Sequence, residues 1–295
     1  MSLDYPFYKS IYKIRKPHIQ KLVKDFKPII INTQFLDAHK YDDSYFIIVD
    51  NWKDNYELNS LTDYFTEPIR IMCKFGNHLS PYEYYKRYKR KYNNVNIISL
   101  REQLFEKIKF CNNFRVTVVL TILSAFNAKK YLDISAGWGD RLLASTLYNV
   151  DMYCGVDPNK DLHPYYTQII NTFATNKNNF ILIEDGFETA VLPDTKFDLV
   201  FSSPPFFDLE KYSSYENDSL TKYKSEKKWC DKFLMKSIYK AFTYLEKNGH
   251  MILYIHSSPY VDKQLLKIHK IMKYKGMIYF YESKLRGMHV WQKNK

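Results

Sequence analysis

The sequence predicts an α/β protein: a sheet of seven strands, the last one antiparallel, with helices on both faces and an N-terminal extension. Three observations carry that expectation. From residue 130 onward, short apolar runs alternate with amphipathic stretches, the rhythm of a parallel sheet wrapped by helices. A glycine loop, Asp133-Ile134-Ser135-Ala136-Gly137-Trp138-Gly139-Asp140, follows the first of those runs and opens a helical stretch. The tetrapeptide Ser203-Pro204-Pro205-Phe206 ends the fourth run, 70 residues after Asp133.

Taken in order, the first hundred residues are rich in Tyr, Lys and Asn and poor in glycine, with extended pieces at Pro28 to Asn32 and Tyr45 to Asp50 and no internal repeat. A helical stretch from Ser99 to Asn127, with a break near Cys111-Asn112-Asn113, leads into the first core strand. A boundary is therefore expected near residue 98. It separates an accessory, candidate target-recognition region, 1–98, from a core domain, 99–295. The core strands are expected at Lys130 to Ser135, Met152 to Asp157, Phe180 to Glu184, Phe197 to Ser202 and Met251 to His256. Helical stretches lie between them at Arg141 to Tyr148, Leu162 to Asn176, Lys227 to Lys247 and Val261 to Lys275. Met277 to Ser283 and Met288 to Gln292, separated by Lys284-Leu285-Arg286-Gly287, read as a closing hairpin.

Charge and composition bound the function classes. Lys plus Arg number 44 against 32 acidic residues in 295, a net +12, which favours a polyanionic partner, nucleic acid first among them. The alternative is a compositional bias toward Lys, Asn, Ile and Tyr that leaves solvated lysine faces without a partner. Cys73, Cys111, Cys154 and Cys230 show no C-x-x-C spacing, so they read as reduced, mostly buried thiols rather than a zinc set. No apolar run approaches the ~20 residues of a membrane helix, and Met1 to Pro6 lack a signal-peptide core. The expectation is a soluble protein of the cytoplasm.

The glycine loop puts small residues where a ligand touches backbone at a helix N-terminus. A pyrophosphate fingerprint, G-x-G-x-x-G, would need a third glycine where Leu142 stands. The surviving G-x-G suits a ligand whose amino-acid portion packs on the loop. Asp157, 24 residues after Asp133, ends the second strand, where a carboxylate can accept hydrogen bonds from vicinal ribose hydroxyls. Asp185, in Glu184-Asp185-Gly186-Phe187, can accept from an adenine amino group while Phe187 covers the ring. Either Asp alone could equally be a cap or turn residue.

Two prolines after the fourth strand fix the backbone and present bare carbonyl oxygens. The exocyclic amine of a nucleobase is a poor nucleophile because its lone pair is delocalised into the ring. Accepting its protons on the Ser203 hydroxyl and the Pro204 carbonyl would drive the nitrogen toward tetrahedral geometry and aim the lone pair at a methyl donor. Phe206 would stack on the base. The bland alternative is a strand-terminating turn beside core aromatics.

At these residues the chain resembles the S-adenosylmethionine-dependent methyltransferases of the seven-stranded, Rossmann-like class, and within them the amino-methyltransferases that modify adenine N6 or cytosine N4 in DNA. The resemblance covers residues 115 to 293 and is strongest over Asp133 to Asp140, Gly155 to Pro158 and Phe197 to Tyr212. It implies S-adenosyl-L-methionine as cofactor. Asp133, Ser135, Ala136, Gly137 and Gly139 would line its methionine part, Asp157 its ribose, and Asp185, Gly186 and Phe187 its adenine, and Ser202 would also contact the cofactor. It implies Ser203, Pro204, Pro205 and Phe206 as the catalytic loop, and it calls for no metal.

Ser at the first loop position is commoner in cytosine N4 enzymes; Asp or Asn is commoner for adenine N6, for RNA guanine and for protein glutamine. Phe207-Asp208-Leu209-Glu210-Lys211-Tyr212 is similar to the continuation in phage-type and viral DNA methylases, which suggests a viral or phage protein acting in a host cell. Ile134-Ser135-Ala136 and Trp138 depart from the family pattern of Pro-Phe or Phe and a small residue. RNA base methylation, or a degenerate fold that binds nucleic acid or a partner subunit without catalysis, stays open beside the DNA reading.

Pro81 to Tyr92 combine five cations, Lys86, Arg87, Lys89, Arg90 and Lys91, with five tyrosines. Phosphate contacts with base stacking, or a solvated cationic face over packed tyrosines, account for it equally well. Phe207 and Tyr212 are the further candidates for nucleic-acid contact. Tyr212 to Tyr223 reads as a mobile loop able to close over substrate. His250 and His256 flank a core strand and read as structural.

Overall fold

Alternating residues of the central strands feed two separate cores, which is what a sheet buried on both faces requires. Tyr131, Leu199, Phe201 and Ile252 pack into one cluster, while Leu132, Val200, Met251 and Leu253 pack into the other. The computed structural model describes residues 5–31, 44–92, 94–207, 209–212, 215–281 and 287–294. Asp208, Ser213, Ser214 and the hairpin residues Glu282 to Arg286 lie outside them, as does Asn32 of the first extended piece.

In chain order the strands are β1 (Ile29–Ile31), β2 (Ser44–Val49), β3 (Lys74–Phe75), β4 (Lys130–Asp133), β5 (Met152–Val156), β6 (Phe180–Ile183), β7 (Phe197–Ser202), β8 (Glu210–Lys211), β9 (Leu245–Leu253), β10 (Lys273–Phe280) and β11 (Met288–Gln292). The main sheet has the order β1-β2-β10-β11-β9-β7-β4-β5-β6. β4, β5, β6, β7 and β9 run parallel, and β11 is antiparallel to both β9 and β10. The seven expected strands are therefore all present, with the antiparallel closing strand inserted between β9 and β10. Strand order reverses at β4, with β5 on one side and β7 on the other, so the loops after these strands diverge and leave a crevice.

The N-terminal residues extend this sheet beyond the seven strands. β2 pairs in parallel with β10, setting Phe46 opposite Ile278, and β1 adds an edge strand. Phe46, Ile48, Leu58 and Phe65 share a core with Val116 to Leu123 across residue 98. Asp63 and Glu67 are buried against Arg70 and Arg101: Arg70 Nη2 lies 2.6 Å from Asp63 Oδ1, and Arg101 pairs with Glu67.

The helices differ from expectation mainly at their ends. The stretch from Ser99 to Asn127 is two helices, Ile97–Lys107 and Val116–Ala125, broken at the Cys111-Asn112-Asn113 segment. Helix Met235–Tyr244 stops before Leu245, where β9 already begins, and Pro259–His269 ends before β10. Among the described residues no helix is long and apolar enough to cross a membrane.

The cysteine expectation is corrected. Cys73 and Cys111 form a disulfide with Cα atoms 6.2 Å apart across 38 residues, while Cys154 and Cys230 are free and buried. The pairing depends on two segments 38 residues apart being brought together by the fold, which no local spacing encodes.

Candidate functional site

The crevice at the carboxyl ends of β4, β5, β6 and β7 is a cavity of about 580 Å³. Its walls are the loops that the sequence singles out: Ser135 and Gly137 after β4, Asp157 after β5, Gly186 and Phe187 after β6, and Ser203 to Phe206 after β7. Tyr212 lines it as well. Asp133, Ala136, Gly139, Asp185, Ser202 and Phe207 do not.

Those absent residues support the walls. Asp133 is fully buried; its Oδ1 accepts from Ser202 Oγ at 2.7 Å and from the Ser135 N–H at 3.2 Å. Its Oδ2 accepts from Arg141 Nε at 2.9 Å and Tyr153 Oη at 3.1 Å. The Ala136 N–H donates to the Val156 carbonyl at 2.9 Å, tying the loop to β5. Gly139 sits at φ +89°, a conformation that strains any side chain, and a Cβ there would lie 3.1 Å from Ile169 Cδ1, which would have to shift by a few tenths of an ångström. Asp185 Oδ1 accepts from the Gly186 N–H at 2.7 Å and from Thr189 Oγ1 at 3.1 Å, a local turn brace. Phe207 packs on Trp229, ring centroids 5.8 Å apart.

Asp157 couples two walls. Its Oδ2 accepts from the Gly137 N–H at 2.8 Å and its Oδ1 from the Asn159 N–H at 3.0 Å. Burial pushes its carboxyl up to about 7, against the two backbone hydrogen bonds that favour the charged form. Asp140, the first residue of helix Asp140–Tyr148, also lines the cavity, and burial pushes it to about 7 too.

On the opposite wall Pro204 is buried and Phe206 is half-buried, its ring 5.4 Å from Tyr254 and 5.9 Å from His256. The Tyr254 N–H donates to the Ser202 carbonyl at 3.0 Å, so the segment after β9 fixes the end of β7 from which this loop departs. His250 is held at low pKa by burial and packs on Phe126 at 4.9 Å, a core role.

Residues that the sequence did not point to complete the cavity. Asn112, Asn113, Phe114 and Arg115 enter from the break between two helices, and Phe75 enters from β3, which pairs with β8. The Asn112 N–H donates to Glu210 Oε1 at 3.3 Å, and Tyr212 donates to Glu210 Oε2. Trp138 packs against Tyr212 at 5.7 Å, which accounts for a large side chain in the glycine loop. The one signal for this wall was the expected break at Cys111-Asn112-Asn113. Within the expected loop at Tyr212 to Tyr223, Tyr212, Asp218 and Ser219 pack inward and Asp218 caps helix Ser219–Lys222, while Ser213 and Ser214 lie outside the described residues.

Lys86, Arg87, Lys89, Arg90 and Lys91 lie outside the cavity on helix Pro81–Tyr88 and the turn after it, all five exposed. Tyr85 and Tyr92 are buried in a cluster with Leu100 and Leu104, and Tyr82, Tyr84 and Tyr88 pack against it. The tyrosines thus belong to a packed face and the cations to a solvated one.

No protein-family model matches the sequence, and no curated protein matches it. Among solved structures, the chain is similar to a methyltransferase from Pyrococcus furiosus (18% identity, TM-score 0.44, 72% of this chain and 100% of that one). It is similar to an rRNA methylase from Streptococcus thermophilus (12%, 0.43, 63% and 99%) and to the tRNA (m1A58) methyltransferase TrmI from Aquifex aeolicus (13%, 0.41, 63% and 71%).

Proposed function

We propose that the protein transfers a methyl group from S-adenosylmethionine to an exocyclic amino group of a nucleobase, in DNA at cytosine N4 or adenine N6. The observation that carries this reading is the meeting, in one cavity, of Ser135 and Gly137, Asp157, Gly186 and Phe187 with the Ser203-Pro204-Pro205-Phe206 loop. The residues fit the donor: Asp157 offers carboxyl oxygens for the ribose, Ser135 and Gly137 form a turn of small residues against which the amino-acid portion can pack, and Gly186 with the buried Phe187 forms the wall beside the adenine. When bound, the donor supplies an electrophilic methyl group on a sulfonium that is its own leaving group.

The chain's part is positioning. Phe206, braced by Tyr254 and His256, offers a face for the acceptor base. The Ser203 hydroxyl and Pro204 carbonyl accept the amine protons, localising the lone pair, and the walls exclude water from the reacting nitrogen. A base in a duplex would have to be flipped out at a cost of a few kcal/mol, less in a single strand. The net charge of +12 and the exposed cations from Lys86 to Lys91 supply attraction for the phosphate backbone.

The test is transfer of labelled methyl groups to matched single- and double-stranded DNA and RNA, followed by nucleoside analysis. N4-methylcytosine or N6-methyladenine in DNA is the expected product. Methylated RNA alone would replace the acceptor. Donor binding without transfer to any nucleic acid would overturn the reading in favour of a non-catalytic or other methyltransferase-fold role.

A further inference from the structure

We propose that the carboxylate of Asp140, and not that of Asp133, receives the α-ammonium of the donor's methionine portion. This inference rests on the reading of the cavity as an S-adenosylmethionine site.

The acidic residue at the end of β4 is already engaged. Asp133 is buried away from the cavity, and its two oxygens accept from Ser202, Ser135, Arg141 and Tyr153. A new cation would have to displace Arg141, whose guanidinium also holds the Ser135 carbonyl and whose side chain is 5% exposed. Asp133 shapes the loop and does not face the ligand.

Asp140 is in the opposite state. It lines the cavity, is 2% exposed, and its Oδ2 accepts from the Phe114 N–H at 3.3 Å. Its Oδ1 is buried and, among the described residues, receives no hydrogen bond. The Thr62 hydroxyl lies close enough to favour the charged form but does not satisfy that oxygen. The neighbouring cations are committed elsewhere, Arg141 to Asp133 and Arg70 to Asp63. Arg141 and Arg70 favour the charged form from a distance, but a buried carboxylate oxygen without a hydrogen-bond donor is costly, and an entering ammonium supplies one together with a full charge.

The other cavity carboxylates do not offer the same vacancy. Asp157 and Glu210 each have both oxygens in hydrogen bonds, and Asp218 caps a helix. Asp140 also stands directly after the loop from Ser135 to Gly139, where the amino-acid portion of the donor is expected to pack.

Calorimetric titration of wild type, Asp140→Asn and Asp140→Ser with S-adenosylhomocysteine and with 5′-methylthioadenosine separates the possibilities. The second ligand carries the same nucleoside without the amino acid. Both variants should bind S-adenosylhomocysteine roughly tenfold to a hundredfold more weakly than wild type. Their affinity for 5′-methylthioadenosine should be unchanged, which also reports an intact fold. Unchanged affinity for S-adenosylhomocysteine in a variant would overturn the assignment of Asp140 while leaving the donor reading in place. Binding of neither nucleoside by wild type would overturn the donor reading itself, and this inference with it.

Discussion

Arg141 Nε donates to Asp133 Oδ2 at 2.9 Å, and both side chains are buried beneath the loop that begins the site. Removing one partner of a buried pair strands the other charge, at about 3–5 kcal/mol. Arg141→Leu should therefore lower stability by that order, seen as a reduced urea midpoint at unchanged slope, and should abolish cofactor binding because the Ser135 carbonyl loses its donor. A variant as stable as wild type would show that the pair is not integral to the loop.

Stability should also carry a pH signature from Asp157. Its carboxyl stands at about 7 in the folded chain, with burial the largest cause, against about 3.9 when unfolded. The folded state thus keeps a proton that the unfolded state releases. This carboxyl weakens the ligand-free fold as pH rises from about 4 through 7. Thermal melts of wild type and Asp157→Asn at pH 5 and pH 8 should show wild type losing ground to the variant at the higher pH. A constant difference between them would contradict the shift.

The two sides of the cavity should separate kinetically. Asp157→Ala removes a charged acceptor, and about 1.5–3 kcal/mol of donor affinity should go with it, roughly tenfold to a hundredfold. Ser203→Ala should spare donor affinity and lower kcat by a similar factor. Equal damage to both parameters in both variants would dissolve this division of roles.

The disulfide joins the strand segment before Phe75 to the break that carries Asn112 and Asn113, so it ties two cavity walls. For a loop of 38 residues, chain-entropy reasoning gives about 4 kcal/mol. The Cys73→Ser Cys111→Ser double variant should lose stability of that order by urea unfolding. No difference between it and oxidised wild type would mean that the crosslink adds nothing to the fold.

The cationic segment was legible as composition but not as a role. Its spacing of cations and tyrosines fits both a nucleic-acid surface and an amphipathic helix. Burial of Tyr85 and Tyr92 with Leu104 favours the second reading for the tyrosines and leaves only the cations facing outward.

Local pattern alone determined the seven core strands, their order of hydrophobic runs and the loops that line the cavity on the sheet side. These features depend on period-2 burial and on glycine and proline stereochemistry, which neighbours in sequence set. Tertiary structure decided what lies on the other side. β2 pairs with β10 across more than 220 residues, Cys73 reaches Cys111, and Phe75, Asn112 and Asn113 close the cavity from segments without a periodic signal. It also decided which acid lines the cavity. Asp133 and Asp140 bracket the same glycine loop, and only packing turned one toward Arg141 and Tyr153 and left an oxygen of the other without a donor. The direction of a side chain at a strand end depends on the partners that the rest of the chain brings to it.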